Sequence, residues 1–299
     1  MSNDIWDYLK SRKLKYQENH SLKSYSSIGI GASARCFVIP RSKDELAELL
    51  SFLYDSGARY KLIGRMTNLL VCGDVYEGVI VSTADLRRKF AADCVLSAEC
   101  GCSMPDLMRY AASLGLGGAE ALATSPGSVG GCVVGNAGAF GVECSDIILD
   151  AEIYFPRTKE LKVLAKSEMG FSYRSSLLKN SELYLLSARF GMTVRSRSDI
   201  EDSIGNIRAA RSLSQPVGAR SLGSIFKKAN GVSAGYYIER VGLKGYTVGG
   251  AAISDKHAGF IVNRGGASSD DVLALINKAK DAVFSSFGVT LEEEIEILR

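Results

Sequence analysis

One stretch constrains the chain more than any other: Thr124-Ser-Pro-Gly-Ser-Val-Gly-Gly-Cys-Val-Val-Gly-Asn-Ala-Gly-Ala-Phe-Gly141 carries no charge, and nine glycines fall between Gly115 and Gly141. Glycine admits positive φ and lets another group approach the backbone without a Cβ in the way, so such density fits amide N–H groups laid against a bound ligand. A phosphate-bearing cofactor is the natural candidate. A glycine-rich turn between strands is the plain alternative, and the glycines alone do not decide between them. The uncharged run from Ala121 to Val142 is long enough to imitate a membrane span. Pro126-Gly127 and the repeated glycines argue against a helix in lipid there.

The 299 residues suffice for two domains or one large one. A formal charge of only +3, with 46% hydrophobic and 23% charged residues, demands neither nucleic acid nor an anionic membrane as partner. The first twenty residues mix acidic and basic side chains without an apolar core, unlike a signal peptide, and the expected location is the cytoplasm. Seven cysteines are spread without framework spacing, so reduced thiols are expected. Cys100-Gly-Cys102 lacks a second pair or nearby histidine, which favours small buried side chains over zinc. With only His20 and His257 in the chain, a histidine-based metal centre or hydrolase triad is not expected.

After a polar start, Cys36 to Pro40 reads as a strand ended by proline. Gly29-x-Gly31-x-x-Ala34 imitates a dinucleotide fingerprint, but that fingerprint needs a helix next, where a strand follows. Ser42 and Glu45 form a capping box for a helix that buries Leu46, Leu49, Leu50 and Leu53 and stops at Gly57. Strands are predicted at 60–63, 69–71, 78–81 and 95–99, and a helix capped by Ser103 runs to about Leu114. Strand character returns at 151–155, 161–164 and 182–190. Ile200, Ile204 and Ile207 mark a helix ending before Ser212-Leu-Ser-Gln-Pro216, a candidate boundary. The last third reads as an α+β unit: a short helix near 233–241, strands at 246–253 and 259–262, and a helix capped by Ser268 burying Val272, Leu275, Ile276, Ala279 and Val283. The final run, Leu291 to Leu298, alternates and sets Glu292, Glu294 and Glu296 opposite Ile295 and Ile297.

Five segments taken together say more than any one: Gly64-Arg-Met-Thr-Asn68, Ser125-Pro-Gly-Ser-Val-Gly-Gly-Cys-Val-Val-Gly-Asn-Ala-Gly138, Tyr173-Arg-Ser-Ser176, Gly223-Ser-Ile-Phe-Lys227 and Leu291-Glu-Glu-Glu-Ile295. In this order the chain resembles the UDP-N-acetylenolpyruvoylglucosamine reductase family, in its shorter form, from about Ser24 onward. The resemblance implies an α+β fold: a FAD-binding part of two α+β subdomains, of the kind seen in vanillyl-alcohol oxidases, at 1–82 and 83–198, then a smaller α+β substrate domain at 199–299. It implies FAD, NADPH as co-substrate, a UDP-linked enolpyruvyl sugar as substrate, no metal, and a monomer.

Adding hydride to the carbon β to a carboxylate builds negative charge on that carboxylate, so the site needs a fixed cation there and an acid for the α carbon. By resemblance Arg174 is the cation, Ser224 the proton donor, and Glu294 supports the developing charge, which requires a raised pKa. Without the family, a loop arginine, a turn serine and glutamates on a wet strand face would be the ordinary readings. The resemblance also assigns Gly64, Arg65, Met66, Thr67, Asn68, Leu69, Pro126, Gly127, Ser128, Gly130, Gly131, Asn136 and Gly138 to FAD, and Tyr173, Lys227, Lys228 and Lys256 to the substrate. Three departures stand out: Met66 where glycine is usual, Lys228-Ala229 where a basic or amide residue precedes proline, and Gly259 where asparagine is common. Two other readings remain in view: a different flavin oxidoreductase of the same fold, although histidine for a covalent flavin is absent from 60–140, and a binding protein without catalysis.

Overall fold

The computed structural model describes residues 3–299. Two compact units emerge, and neither is continuous in sequence: one holds residues up to 20, 34–65 and 77–208, the other 21–33, 66–76 and 209–299. The content is mixed α and β throughout, as expected.

The first unit contains two main sheets and two short two-stranded ladders. One has the strand order Lys15–Ser21, Ser33–Ile39, Val75–Ser82, Tyr60–Ile63. The last two are parallel, with Ile63 opposite Ser82. Parallel neighbours need a crossover, and here the chain between 63 and 75 passes through the strand Leu69–Val71, which pairs with Glu296–Leu298 and not in this sheet. The helix Lys43–Asp55 buries Leu46, Leu49, Leu50 and Leu53, as their spacing predicts, and the Ser42 hydroxyl accepts from the Glu45 N–H at 3.1 Å. The capping box is displaced by one residue: the Glu45 carboxylate accepts from the Arg41 N–H (2.8 Å). The other sheet is antiparallel, in the order Glu160–Ala165, Ile148–Phe155, Tyr184–Gly191, Val95–Glu99, Lys89–Ala92. Helix Met104–Ser113 starts at Ser103 as predicted.

The polar start is not featureless. It forms the amphipathic helix Asn3–Ser11, which buries Ile5 and Leu9, before the edge strand Lys15–Ser21. Those two apolar positions, four apart, are too few to dominate a polar sequence. The helix Arg197–Ser214 runs past Ser212, because serine tolerates a helix end and only Pro216 forbids continuation.

In the second unit, four short antiparallel strands lie in the order Ser221–Ser224, Phe260–Asn263, Ala251–Ile253, Thr247–Val248. The single strand expected at 246–253 is therefore a hairpin: Val248 pairs with Ala251, and Gly249 takes φ +51° between them. Helix Ser269–Phe287 buries the five predicted positions, opens on a Ser268–Asp271 capping box and ends at Gly288 with φ +65°. The alternation from 291 becomes regular strand only at Glu296–Leu298, parallel to Leu69–Val71.

All seven cysteines are free. Burial pushes the Cys100 thiol up to about 12, in keeping with an inert core side chain. Among the described residues no group of histidine, cysteine or carboxylate side chains is arranged to hold a metal, and no helix is long and apolar enough to cross a membrane.

Gly101 bears on the site described next. A Cβ there would run into the Thr83 carbonyl oxygen and lie 2.7 Å from that of Leu86, both rigid backbone. Gly101→Ala is expected to destabilise the protein by at least ~2 kcal/mol, as overpacking against backbone does. The urea midpoint measures it, with Gly57→Ala as the comparison: Gly57 meets nothing within 4 Å, so it reports only the φ +62° term.

Candidate active site

The segment 64–68 leaves the strand Tyr60–Ile63 and enters Leu69–Val71. None of the backbone N–H groups from Gly64 to Asn68 donates to a carbonyl or side chain among the described residues. Peptide donors are seldom left without an acceptor, so such a run marks a place for an anion or ordered solvent. Met66 holds φ +46° although it is not glycine, and its side chain is buried.

Within the first unit, Gly64 and Arg65 abut the second glycine-rich loop. Arg65 Nε donates to the Pro126 carbonyl at 2.8 Å, and a Cβ on Gly64 would collide with the Ser128 hydroxyl. That loop is fastened to residues 100–104: Met104 N donates to Gly127 O, Val129 N to Cys102 O and Gly130 N to Cys100 O, at 2.8–3.0 Å. The N–H groups of Gly127 and Ser128, like those of 64–68, have no protein acceptor among the described residues. Ser128 caps the short helix Val129–Val134, its hydroxyl accepting from Gly131 N. At Gly130 a Cβ would sit 3.2 Å from the Cys100 carbonyl oxygen, tighter than an ordinary contact. Beside Gly64 and Arg65 opens a cavity of about 150 Å³ lined by Thr83, Arg87, Lys89, Gly101, Ser103 and Asp106. Three cations, Arg65, Arg87 and Lys89, face one carboxylate, a balance that suits phosphate. The triplet Arg87-Arg88-Lys89 was the available sequence signal for these residues.

Arg174 occupies a tight turn. Ser172 and Ser175 exchange two backbone hydrogen bonds of 3.1 Å, which leaves Tyr173 and Arg174 as the central residues, and Arg174 takes φ +55°. An L side chain in the left-handed region costs roughly 1–2 kcal/mol, and such strain gathers at working sites. The guanidinium donates through Nη2 to the Gly138 carbonyl (3.1 Å), with the Tyr173 ring 5.2 Å from its centre. Glu143 Oε1 lies 3.9 Å from Nη1. Asn136 does not turn its amide outward: it is 1% exposed, and both N–H bonds are spent on Glu143 Oε2 (2.9 Å) and Ser172 O (3.1 Å). Gly138 is glycine because Glu143 Cγ would lie 2.7 Å from its Cβ.

In the second unit Ser224 and Glu294 are held by the same peptide. Ser224 pairs with Phe260 and precedes Ile225. The Ile225 carbonyl accepts from Glu294 N at 2.8 Å, and Ile225 N donates to Gly259 O at 2.9 Å. Asn68 reaches the same place: its Nδ2 donates to the Glu294 carbonyl (3.0 Å), and its own carbonyl accepts from Glu296 N (2.9 Å). Asn68 is thus a structural clasp for the glutamate. His257, which the sequence reading used only as part of the family match, completes the chain, with Nδ1 accepting from Gly259 N at 3.0 Å. Gly259 fits because a Cβ there would stand 3.0 Å from the His257 ring. Lys227 is paired with Glu292, and Lys256 donates to the Ser212 carbonyl.

The model of an FAD binding domain matches residues 34–163, which contain both glycine-rich loops, and that of the UDP-N-acetylenolpyruvoylglucosamine reductase C-terminal domain matches 215–298, which contain Ser224 and Glu294. The chain is 37% identical over 293 residues to the UDP-N-acetylenolpyruvoylglucosamine reductase of Caldicellulosiruptor bescii, covering 97% of this chain and 93% of that one. With its counterpart from Caldanaerobacter subterraneus the identity is 36%, over 100% and 99%. This chain belongs to the UDP-N-acetylenolpyruvoylglucosamine reductase family. The crystal structure of the family member from Thermus caldophilus superposes with a TM-score of 0.80 at 30% identity, over 96% of this chain and 99% of that one. A family member carries FAD.

Two tests follow from this geometry. Replacing Met66 by Ala or by Gly removes the same buried side chain, so their difference isolates the positive φ: the Gly variant is expected to be more stable than the Ala variant by ~1 kcal/mol in urea unfolding. Equal stabilities would mean that the backbone at 66 is unstrained. Burial lowers the pKa of His257, with Lys244 adding to the effect and Glu239 opposing it. The unfolded chain then binds the proton more readily, so stability falls as pH drops below the ordinary histidine value of about 6.5, towards the depressed folded value. His257→Asn, which keeps an acceptor for Gly259 N but cannot titrate, is expected to lose part of that acid slope in unfolding measured between pH 7 and 5.

Proposed function

We propose that this chain reduces UDP-N-acetyl-3-O-(1-carboxyvinyl)glucosamine to UDP-N-acetylmuramate at the expense of NADPH, a step in making peptidoglycan precursors, and that Arg174, Ser224 and Glu294 carry the reaction. The observation that bears most weight is the Ile225 peptide, which brings the backbone of Ser224 and that of Glu294 together. Bound FAD would supply the hydride relay between NADPH and the enolpyruvyl double bond. Everything else falls to the chain's own groups.

The hydride adds at the carbon β to the substrate carboxylate, and the electron pair of the double bond moves towards that carboxylate. Arg174 is suited to hold it, since guanidinium presents two parallel N–H bonds and stays charged. The Ser224 hydroxyl delivers the proton to the α carbon. Glu294 supports the charge that develops, from a position set by Ile225 O, Asn68 Nδ2 and the pairing at Glu296. Lys227 and Lys228 supply cations for the UDP diphosphate. Lys227 leaves its ion pair with Glu292 to do so, a small loss because the Glu292 side chain is 70% exposed. Tyr173 and Lys256 complete the substrate contacts. We place the enzyme in the cytoplasm, where NADPH and nucleotide sugars are found, acting as a monomer. The division at 82 and 198 is a functional one: the first two parts hold the cofactor, the second also lends Tyr173 and Arg174 to the substrate, and the third supplies the remaining substrate contacts.

Ser224→Ala tests the assignment. NADPH should still bleach the flavin at close to the normal rate, while reoxidation by the enolpyruvyl sugar slows by about 10²- to 10⁴-fold, the span for a lost general acid. A variant that reoxidises at the wild-type rate removes Ser224 from the mechanism.

A further inference from the structure

Glu143 has no place in the reaction as derived, yet it is built into the surroundings of Arg174. It is brought there by a two-residue hairpin, in which Val142 pairs with Ala139 and Glu143 with Gly138. The turn residues Phe140 and Gly141 take φ +50° and +81°, the primed geometry that suits a right-twisted pair. That pairing lays the carboxylate against Gly138, whose carbonyl already accepts from Arg174 Nη2. Asn136 then fixes it. This residue is buried and left-handed at φ +41°, and one side-chain amide ties Glu143 Oε2 to the carbonyl of Ser172, the first residue of the arginine's turn. Its Oδ1 accepts from Ser145 N at 3.0 Å, so the amide is bound on both ends.

Glu143 Oε1 stands 3.9 Å from Arg174 Nη1, within ion-pair range but beyond a hydrogen bond. A bidentate pair would lock the guanidinium fork against any second carboxylate. At this spacing the attraction orients the guanidinium without a bidentate bond from Glu143. We propose that Glu143, braced by Asn136, is a positioning residue that aims Arg174 at the substrate carboxylate. The proposal rests on the reading of Arg174 given above. Charged and titratable groups around Glu143 are Arg174 itself, Asp146, which accepts from Glu143 N (2.7 Å), Lys179, whose ammonium donates to the Arg174 carbonyl (2.9 Å), and the buried thiols of Cys144 and Cys132.

The test uses the FAD-loaded enzyme under anaerobic conditions, with each half-reaction followed separately by flavin absorbance. Glu143→Gln keeps the shape and an acceptor for Asn136 but removes the charge, and the Glu143 side chain is one-third exposed, so the variant folds. Reduction by NADPH should stay within about twofold of wild type and the dissociation constant of the sugar within about threefold, while reoxidation slows about 10- to 100-fold, the usual cost of a misplaced positioning group. Asn136→Asp sets two carboxylates face to face, which then share a proton. Its reoxidation rate should rise as pH falls, relative to the wild-type profile. Glu143→Gln reoxidising at the wild-type rate, or Asn136→Asp with a profile parallel to wild type, overturns the proposal. Arg174→Lys separates the two levels. If it slows reoxidation while Glu143→Gln does not, only the positioning role fails. If it has no effect, the reading of Arg174 itself fails and the proposal falls with it.

Discussion

Open backbone donors are the constraint around which the two loops are arranged. Most peptide N–H groups find an acceptor on folding, and those that do not turn to solvent or to a ligand. Here a run from Gly64 to Asn68, and again Gly127 and Ser128, remains open among the described residues. The surroundings hold these loops in place: the Ser103–Ser128 bridge, the bond from Arg65 to Pro126 and the close fits at Gly64, Gly101 and Gly130 fix their shape without satisfying them. An anion with many acceptor oxygens is the kind of group that open amides suit. Glycines of the longest uncharged stretch, Gly130 and Gly138 among them, serve close approach to other parts of the protein.

Four of the ten non-glycine residues with positive φ among the described residues lie in these segments: Met66 in the first loop, Asn136 and Phe140 in the second, and Arg174 in its turn. Each costs roughly 1–3 kcal/mol and persists because its neighbours over-determine it. For Asn136 and Arg174 those neighbours are hydrogen bonds. Asn136 joins Glu143 to Ser172, and two backbone bonds close the turn around Tyr173 and Arg174. In the other unit the Ile225 peptide plays the corresponding part for Ser224 and Glu294, with His257 behind Gly259 and Asn68 behind Glu294.

Much of this was legible in the sequence, and the reasons for the rest are physical. Helices whose apolar positions recur at three and four residues and whose ends carry a serine cap, such as Lys43–Asp55 and Ser269–Phe287, match the structure closely, because pattern and cap agree. The hairpin at 247–253 was hidden because Gly249-Gly250 sits inside an otherwise strand-like run, and a turn of two residues leaves no gap in the hydrophobic pattern. The clustering of 21–33 and 66–76 with the last third depends on long-range contacts that no local pattern encodes. At the site, Arg174, Ser224 and Glu294 came from the family's ordered segments. Glu143 and the cations Arg87 and Lys89 did not, since a lone glutamate after a glycine hairpin and a basic triplet after a strand look like ordinary surface. The role of Asn68 was half visible: its place in the loop was expected, its bond to Glu294 was not.

The central claim is that one flavin accepts hydride from NADPH and gives it to the enolpyruvyl sugar. Absorbance of the wild-type enzyme, recorded without oxygen as NADPH and then the UDP-linked enolpyruvyl sugar are added, tests it most directly. The account predicts that the flavin band bleaches with the first and returns with the second, with UDP-N-acetylmuramate formed in proportion. A flavin that bleaches and stays reduced in the presence of the sugar would contradict it.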